Sequence, residues 1–188
     1  MAMNMDQIMA QLNIPQEGHP EKEYVMSKFK TLYVEDGLVV LSEDNLDVLD
    51  VGCGRHKTYP SFIGMDIDPV ADIYASADKL PREDHSVHAI VSRHSIEHLI
   101  DTVALLREWH RVLRTGGAVI FVLPDHEFIN TMQHVLAHEQ HLHAFTRATF
   151  SNLVNNILKE NELQSLFTIR EIETVVPDWS FGGVLIAN

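Results

Sequence analysis

Three acidic residues and two glycines have the types and spacing to hold a ligand. In Asp50-Val-Gly-Cys-Gly54 the glycines permit a tight turn and a close approach to the backbone. A dinucleotide site would read G-x-G-x-x-G, but Lys57 occupies the third glycine position, and Asp50, two residues before Gly52, is an awkward neighbour for a pyrophosphate. Gly64-Met-Asp-Ile-Asp-Pro69 then offers Asp66 to both hydroxyls of a ribose, and Ala77-Asp-Lys-Leu-Pro81 offers Asp78 to an adenine amino group. Five of the twelve histidines fall between His126 and His143, in the pattern His134-x-x-x-His138-Glu139-x-His141-x-His143. Spacing of four puts His134 and His138 on one helical face, and His141 with His143 could complete a metal-ligand set. Exposed polar helices carry such histidines without any ion, and the adopted reading assigns no metal.

These residues need elements to position them. Leu46 to Val51 reads as a strand that runs into the glycine turn, and further strands are expected at 62–67, 71–74, 87–91 and 118–123. Between the last two, Asp101 can cap a helix with Val103, Leu106, Trp109, Val112 and Leu113 on one side; Arg107, Arg111 and Arg114 before Gly116-Gly117 suit its end. Glu21 to Tyr33 reads as a covering helix, with Val25, Phe29, Leu32 and Tyr33 on one face. Residues 128–138 and 147–160 look helical, and strands at 167–176 and 180–186 are joined by Pro177-Asp178. Strands alternating with helices before a closing hairpin give a mainly parallel α/β sheet with an antiparallel end. In such sheets ligands bind beyond the carboxyl ends of the strands, which is where Gly52, Asp66 and Asp78 fall.

The chain has 188 residues, 45% of them apolar and 22% charged, which suits one globular domain. Residues 1–40 are expected to form a lead and capping helix, 41–188 the main domain, and 125–150 a lid over the substrate. A formal charge of −13 argues against bulk nucleic acid as a partner. The longest apolar run, Ala118 to Leu123, is far below the roughly 20 residues of a membrane span. With no basic and apolar leader at the start and a single cysteine, Cys53, a cytoplasmic location and no disulfide are expected. Cys53 reads as a filler of the turn, without chemistry of its own.

A cofactor without phosphate, carrying a positive sulfonium and a free amino group, would tolerate Asp50, and S-adenosylmethionine fits that description. Five stretches in order, Val48-Leu-Asp-Val-Gly-Cys-Gly54, Gly64-Met-Asp-Ile-Asp68, Ala77-Asp-Lys-Leu-Pro81, Ser95-Ile-Glu-His-Leu99 and Val112-Leu-Arg-Thr-Gly-Gly117, make the chain resemble the class I S-adenosylmethionine-dependent methyltransferases. The resemblance implies a doubly wound, mainly parallel seven-stranded, Rossmann-like sheet with a C-terminal antiparallel hairpin. It also implies that Gly52 and Gly54 pass the methionine moiety, Asp66 holds the ribose, and Asp78 with Lys79 frames the adenine. Asp66 follows Gly54 by only twelve positions, so the family's first helix must be short or missing. Pro60 and Phe62-Ile-Gly64 match a compact subgroup of that kind, and Thr115 stands where the family usually has proline. His141-Leu-His-Ala-Phe-Thr146 resembles a stretch that precedes a helix over the active site in this subgroup.

The cofactor residues expected on these grounds are Asp50, Gly52, Cys53, Gly54, Asp66, Ile67, Asp78, Lys79 and His94, around S-adenosylmethionine or its product S-adenosylhomocysteine. His94 and His143 are the candidate bases, since imidazole titrates near neutrality. His98, His141 and His143 are the candidate substrate contacts, and the substrate wall is expected from residues 1–34 and 125–150. The expected partner is a small or medium organic substrate, with no membrane, and a homodimer is left open. The alternatives are a non-catalytic binding module of the same fold and a metal-dependent enzyme using the His134 to His143 cluster. A nicotinamide oxidoreductase is disfavoured by Asp50 and the missing third glycine.

Overall fold

The computed structural model describes residues 18–32, 47–129, 141–160 and 166–188. Seven strands form one sheet: β1 (Val48–Val51), β2 (Ile63–Asp66), β3 (Ile73–Tyr74), β4 (Val87–Arg93), β5 (Leu113–Pro124), β6 (Phe167–Val176) and β7 (Ser180–Ala187). Their order is β3-β2-β1-β4-β5-β7-β6. The first five strands are parallel, while β7 runs antiparallel to both β5 and β6. The direction of winding reverses between β1 and β4, which puts the topological switch point beyond their carboxyl ends, at Gly52 and His94.

The central strands are mostly apolar because both faces of the sheet are covered. Val119, Phe121 and Leu123 of β5 pack with Leu105, Leu106 and Trp109 of α2 (Thr102–Val112) and with Phe150 and Val154 of α3 (Arg147–Glu160). Ala118, Ile120 and Val122 point the opposite way, as the two-residue period of a strand requires, and pack with Val25 and Leu32 on the side of α1 (Pro20–Lys30). His19 caps α1 through its Nδ1, which accepts from the Glu21 N–H, and Pro20 takes the first turn. Lys28 ties the helix to β6 through Glu171 at 2.9 Å and Glu173 at 2.6 Å.

Two boundaries depart from expectation. Asp101 does cap α2, its Oδ1 accepting from the Ala104 N–H at 2.9 Å, but the helix stops at Val112, not near Gly116. Leu113 is already extended and pairs with Val87, and the next β5 pair, Ala118 with Ala89, lies across an irregularity. Gly116, at φ +78°, therefore serves a bulge inside β5, not a helix stop. The 52–62 connection contains turns and no helix, as the short Gly54 to Asp66 spacing predicts. Most of the helix expected over 128–138, and the centre of the expected lid, lie outside the described residues; His126 to Phe128 form a turn. Among the described residues no helix is long and apolar enough to cross a membrane.

Candidate active site

The glycine turn after β1 is packed on one side and open on the other. Gly52 has φ +72°, and a Cβ there would lie 2.3 Å from the Cβ and Oγ of Ser95, in the loop after β4. Gly54 has φ +52°, but a Cβ there would meet nothing within 4 Å. Its N–H donates to Asp66 Oδ2 at 2.8 Å, while Oδ1 accepts from the Asp68 N–H at 2.8 Å. The carboxylate at the end of β2 is thereby fixed beside the open side of the turn. Ile67 follows it with 68% of its surface exposed.

Asp78 accepts from Ser76 Oγ and is exposed, as is Lys79. The backbone around them is clamped to α2, because Trp109 Nε1 donates to Ala77 O at 2.9 Å and Glu108 Oε1 accepts from the Leu80 N–H at 2.8 Å. Asp50 is buried and accepts from the Thr58 N–H. Arg93 Nε donates to Thr58 Oγ1 at 2.9 Å, and Arg93 Nη2 to His56 O at 3.0 Å. This network ties β1 and β4 to the 54–60 loop. Burial, with Asp50 and Asp66 nearby, pushes the Cys53 thiol up to about 12, so it stays protonated and un-nucleophilic at neutral pH.

A second cluster stands at the end of β4. His94 has φ +50°, a left-handed conformation that costs a non-glycine residue about 1–3 kcal/mol and gathers at functional sites. Its Nε2 lies 2.9 Å from both carboxylate oxygens of Glu21, a buried residue of α1, and its Nδ1 lies 3.6 Å from Glu97 Oε1. Burial alone would lower the pKa of His94, but the Glu21 carboxylate, then Glu97, raise it to about 10. A ring held this way keeps its proton at neutral pH. Glu97 is fully buried, and neither carboxylate oxygen has a hydrogen-bond partner. His98 Nε2 is 4.0 Å and His141 Nε2 3.8 Å from Glu97 Oε1, and the two rings meet edge to face at 4.7 Å.

The candidate histidines thus divide. His94, His98 and His141 converge on Glu97, whereas His143 turns its Nε2 to Leu99 O at 2.7 Å and stacks on Phe145. His134 and His138 lie outside the described residues. Glu21 escaped the sequence reading, although a signal was present: it lies four residues before Val25, on the face assigned to the core, where a carboxylate needs a partner.

Residues 49–121 match the family model described as a methyltransferase domain. This stretch resembles class I methyltransferase domains. Domains of this class take S-adenosylmethionine as methyl donor. The chain is 33% identical over 106 residues to the ubiquinone/menaquinone biosynthesis C-methyltransferase UbiE of Shewanella sp. (strain ANA-3), a match covering 55% of this chain and 40% of the relative. It therefore spans well under half the length of the curated relatives it matches. The plantazolicin methyltransferase BpumL, solved with SAH, superposes with a TM-score of 0.66 at 15% identity, covering 98% of this chain and 91% of that one. A SAM-dependent methyltransferase from Aquifex aeolicus superposes with a TM-score of 0.60 at 12% identity, covering 89% and 98%. At these identities the structural likeness speaks for the fold. The chain places its glycine turn, Asp66 and Asp78 along the carboxyl ends of β1, β2 and β3, the row that the sequence motifs predict.

Proposed function

We propose that this chain transfers a methyl group from S-adenosylmethionine to an oxygen, nitrogen or carbon nucleophile of a small or medium organic acceptor. The observation that carries the reading is the open space over Gly54, bordered by a carboxylate that the turn itself holds in place. Asp66 would accept the ribose hydroxyls, Asp78 the adenine amino group, and the exposed Ile67 side chain would lie against the adenine face. Gly52, Cys53, Gly54 and Lys79 complete the cradle, and Asp50 shapes it through Thr58. When bound, S-adenosylmethionine supplies a methyl group on a sulfonium, open to displacement by a nucleophile in line with the sulfur.

The acceptor side falls to the segments after β4 and around 141–143. Protonated His94 is suited to holding Glu21 and Glu97 in place. His143 donates Nε2–H to Leu99 O, which leaves Nδ1 as its basic nitrogen and makes it the better candidate to take a proton from an acceptor hydroxyl. Thermal unfolding with S-adenosylhomocysteine tests the first half of this reading. At a hundred times its dissociation constant a ligand adds about 2.7 kcal/mol to the native state, so the midpoint should rise by roughly 5–10 °C. No shift at millimolar ligand would sink it. Transfer of labelled methyl to a panel of phenols, amines and carbon acids tests the second half.

A further inference from the structure

We propose that Glu97, His98 and His141 form a divalent transition-metal site, whose remaining coordination positions take an oxygen of the methyl acceptor. One carboxylate oxygen and one nitrogen from each ring all lie within 4.8 Å of one another. Around a single ion with bonds of 2.0–2.2 Å such atoms stand about 3.3 Å apart, so the rings need to swing inward by roughly an ångström. Imidazole and carboxylate together suit zinc, iron, cobalt or manganese better than calcium or magnesium, which favour all-oxygen sets.

One observation points to a ligand independently of that spacing. Glu97 is fully buried, and protonated His94 stands 3.6 Å from its Oε1, beyond hydrogen-bond range, so both carboxylate oxygens still lack a hydrogen-bond partner, an arrangement that is costly unless further donors or a cation are supplied. The scaffold is also built by the main chain. The Leu142 and His143 N–H groups donate to Glu97 O at 2.9 and 3.1 Å, and His143 Nε2 fastens the same strap to Leu99 O. These bonds hold residues 141–143 against the Ile96–His98 turn and leave the side chains of Glu97, His98 and His141 to converge.

The cluster is graded in exposure. Glu97 and His141 are buried, His98 keeps 27% of its side chain exposed, and Ile100 and Leu142 stand out beside it as apolar rim. Three protein ligands leave room for water or substrate, the arrangement of catalytic metal sites. The ion differs from a site of the His134 to His143 kind in using Glu97 and His98 and in leaving His143 to the Leu99 carbonyl. Metal binding stands on these contacts alone; the role toward the acceptor rests on the methyl-transfer reading.

The test uses the untagged full chain, stripped with chelator and titrated with Co2+ and with Zn2+, read by the visible cobalt spectrum and by metal analysis after gel filtration. One equivalent per chain is expected. His98→Asn and His141→Asn should each weaken binding at least about tenfold, since even partners behind the ligands are worth that much. Glu97→Gln should do the same, and if that buried change prevents folding, the partly exposed His98 position keeps the test decisive. No binding at millimolar metal, binding indifferent to His98→Asn and His141→Asn, or binding lost only in His134→Asn with His138→Asn, would each overturn the site. A thermal shift with S-adenosylhomocysteine on the same samples separates the readings. Metal binding without that shift removes methyl transfer and leaves the site standing, whereas the shift without metal does the reverse.

Discussion

His94 Nε2 lies 2.9 Å from both carboxylate oxygens of Glu21, a residue 73 positions earlier in the chain. That contact fastens α1 to the carboxyl end of β4 and makes the N-terminal helix part of the site's floor. Breaking a buried ion pair by removing one partner leaves the other charge uncompensated, at a cost of about 3–5 kcal/mol. Glu21→Gln should therefore lose about that much stability in urea unfolding, and adding His94→Gln should restore part of it. A loss under 1 kcal/mol in the single variant would show that the contact carries little.

The same pair sets a pH window. Burial opposes the charge on Glu21, but His94 outweighs it and lowers the carboxyl to about 2 from 4.5, so its contribution is present above 4.5 and lost as pH falls toward 2. His94 is raised to about 10 from 6.5, so its contribution is complete below 6.5 and lost as pH climbs toward 10. The two describe one interaction, greatest between about pH 4.5 and 6.5. Stability of the natural chain measured against that of the Glu21→Gln, His94→Gln double variant should show an excess that shrinks on both sides of this window. An excess that is flat from pH 5 to 9 contradicts the assignment.

The two glycines of the turn should respond differently to alanine. Both substitutions force a side chain into the left-handed region at about 1–2 kcal/mol, but at Gly52 the new Cβ also meets Ser95 at 2.3 Å. Crowding of that kind adds about 1–3 kcal/mol. Gly52→Ala should thus be clearly the less stable in thermal unfolding, while Gly54→Ala should fold nearly normally and lose the response to S-adenosylhomocysteine. Equal stabilities for the two variants would contradict the packing of Gly52 on Ser95.

Asp66→Asn keeps the shape of the side chain and removes its charge. Charge-assisted hydrogen bonds contribute about 1.5–3 kcal/mol, so affinity for S-adenosylhomocysteine should fall roughly ten- to a hundredfold by calorimetry. Unchanged affinity would place the ribose elsewhere.

Much of this molecule is written locally. The glycine turn, the acids Asp66 and Asp78 that follow successive strands, the Asp101 cap and the 167–176 and 180–187 hairpin depend on a few neighbouring residues, and periodicity with turn chemistry makes them legible. The missing helix after β1 follows from chain length alone, since the eleven residues between Gly54 and Asp66 cannot hold a full helix and a strand together. The end of α2 was not legible, because the pairing of Leu113 with Val87 across the sheet pulls the chain into β5 before Gly116. Tertiary structure also decided the company of each histidine. A sequence gives an imidazole's spacing along its own segment, whereas its charge and partners come from segments that meet only on folding: Glu21 from α1 for His94, Glu97 for His141, and the Leu99 carbonyl for His143.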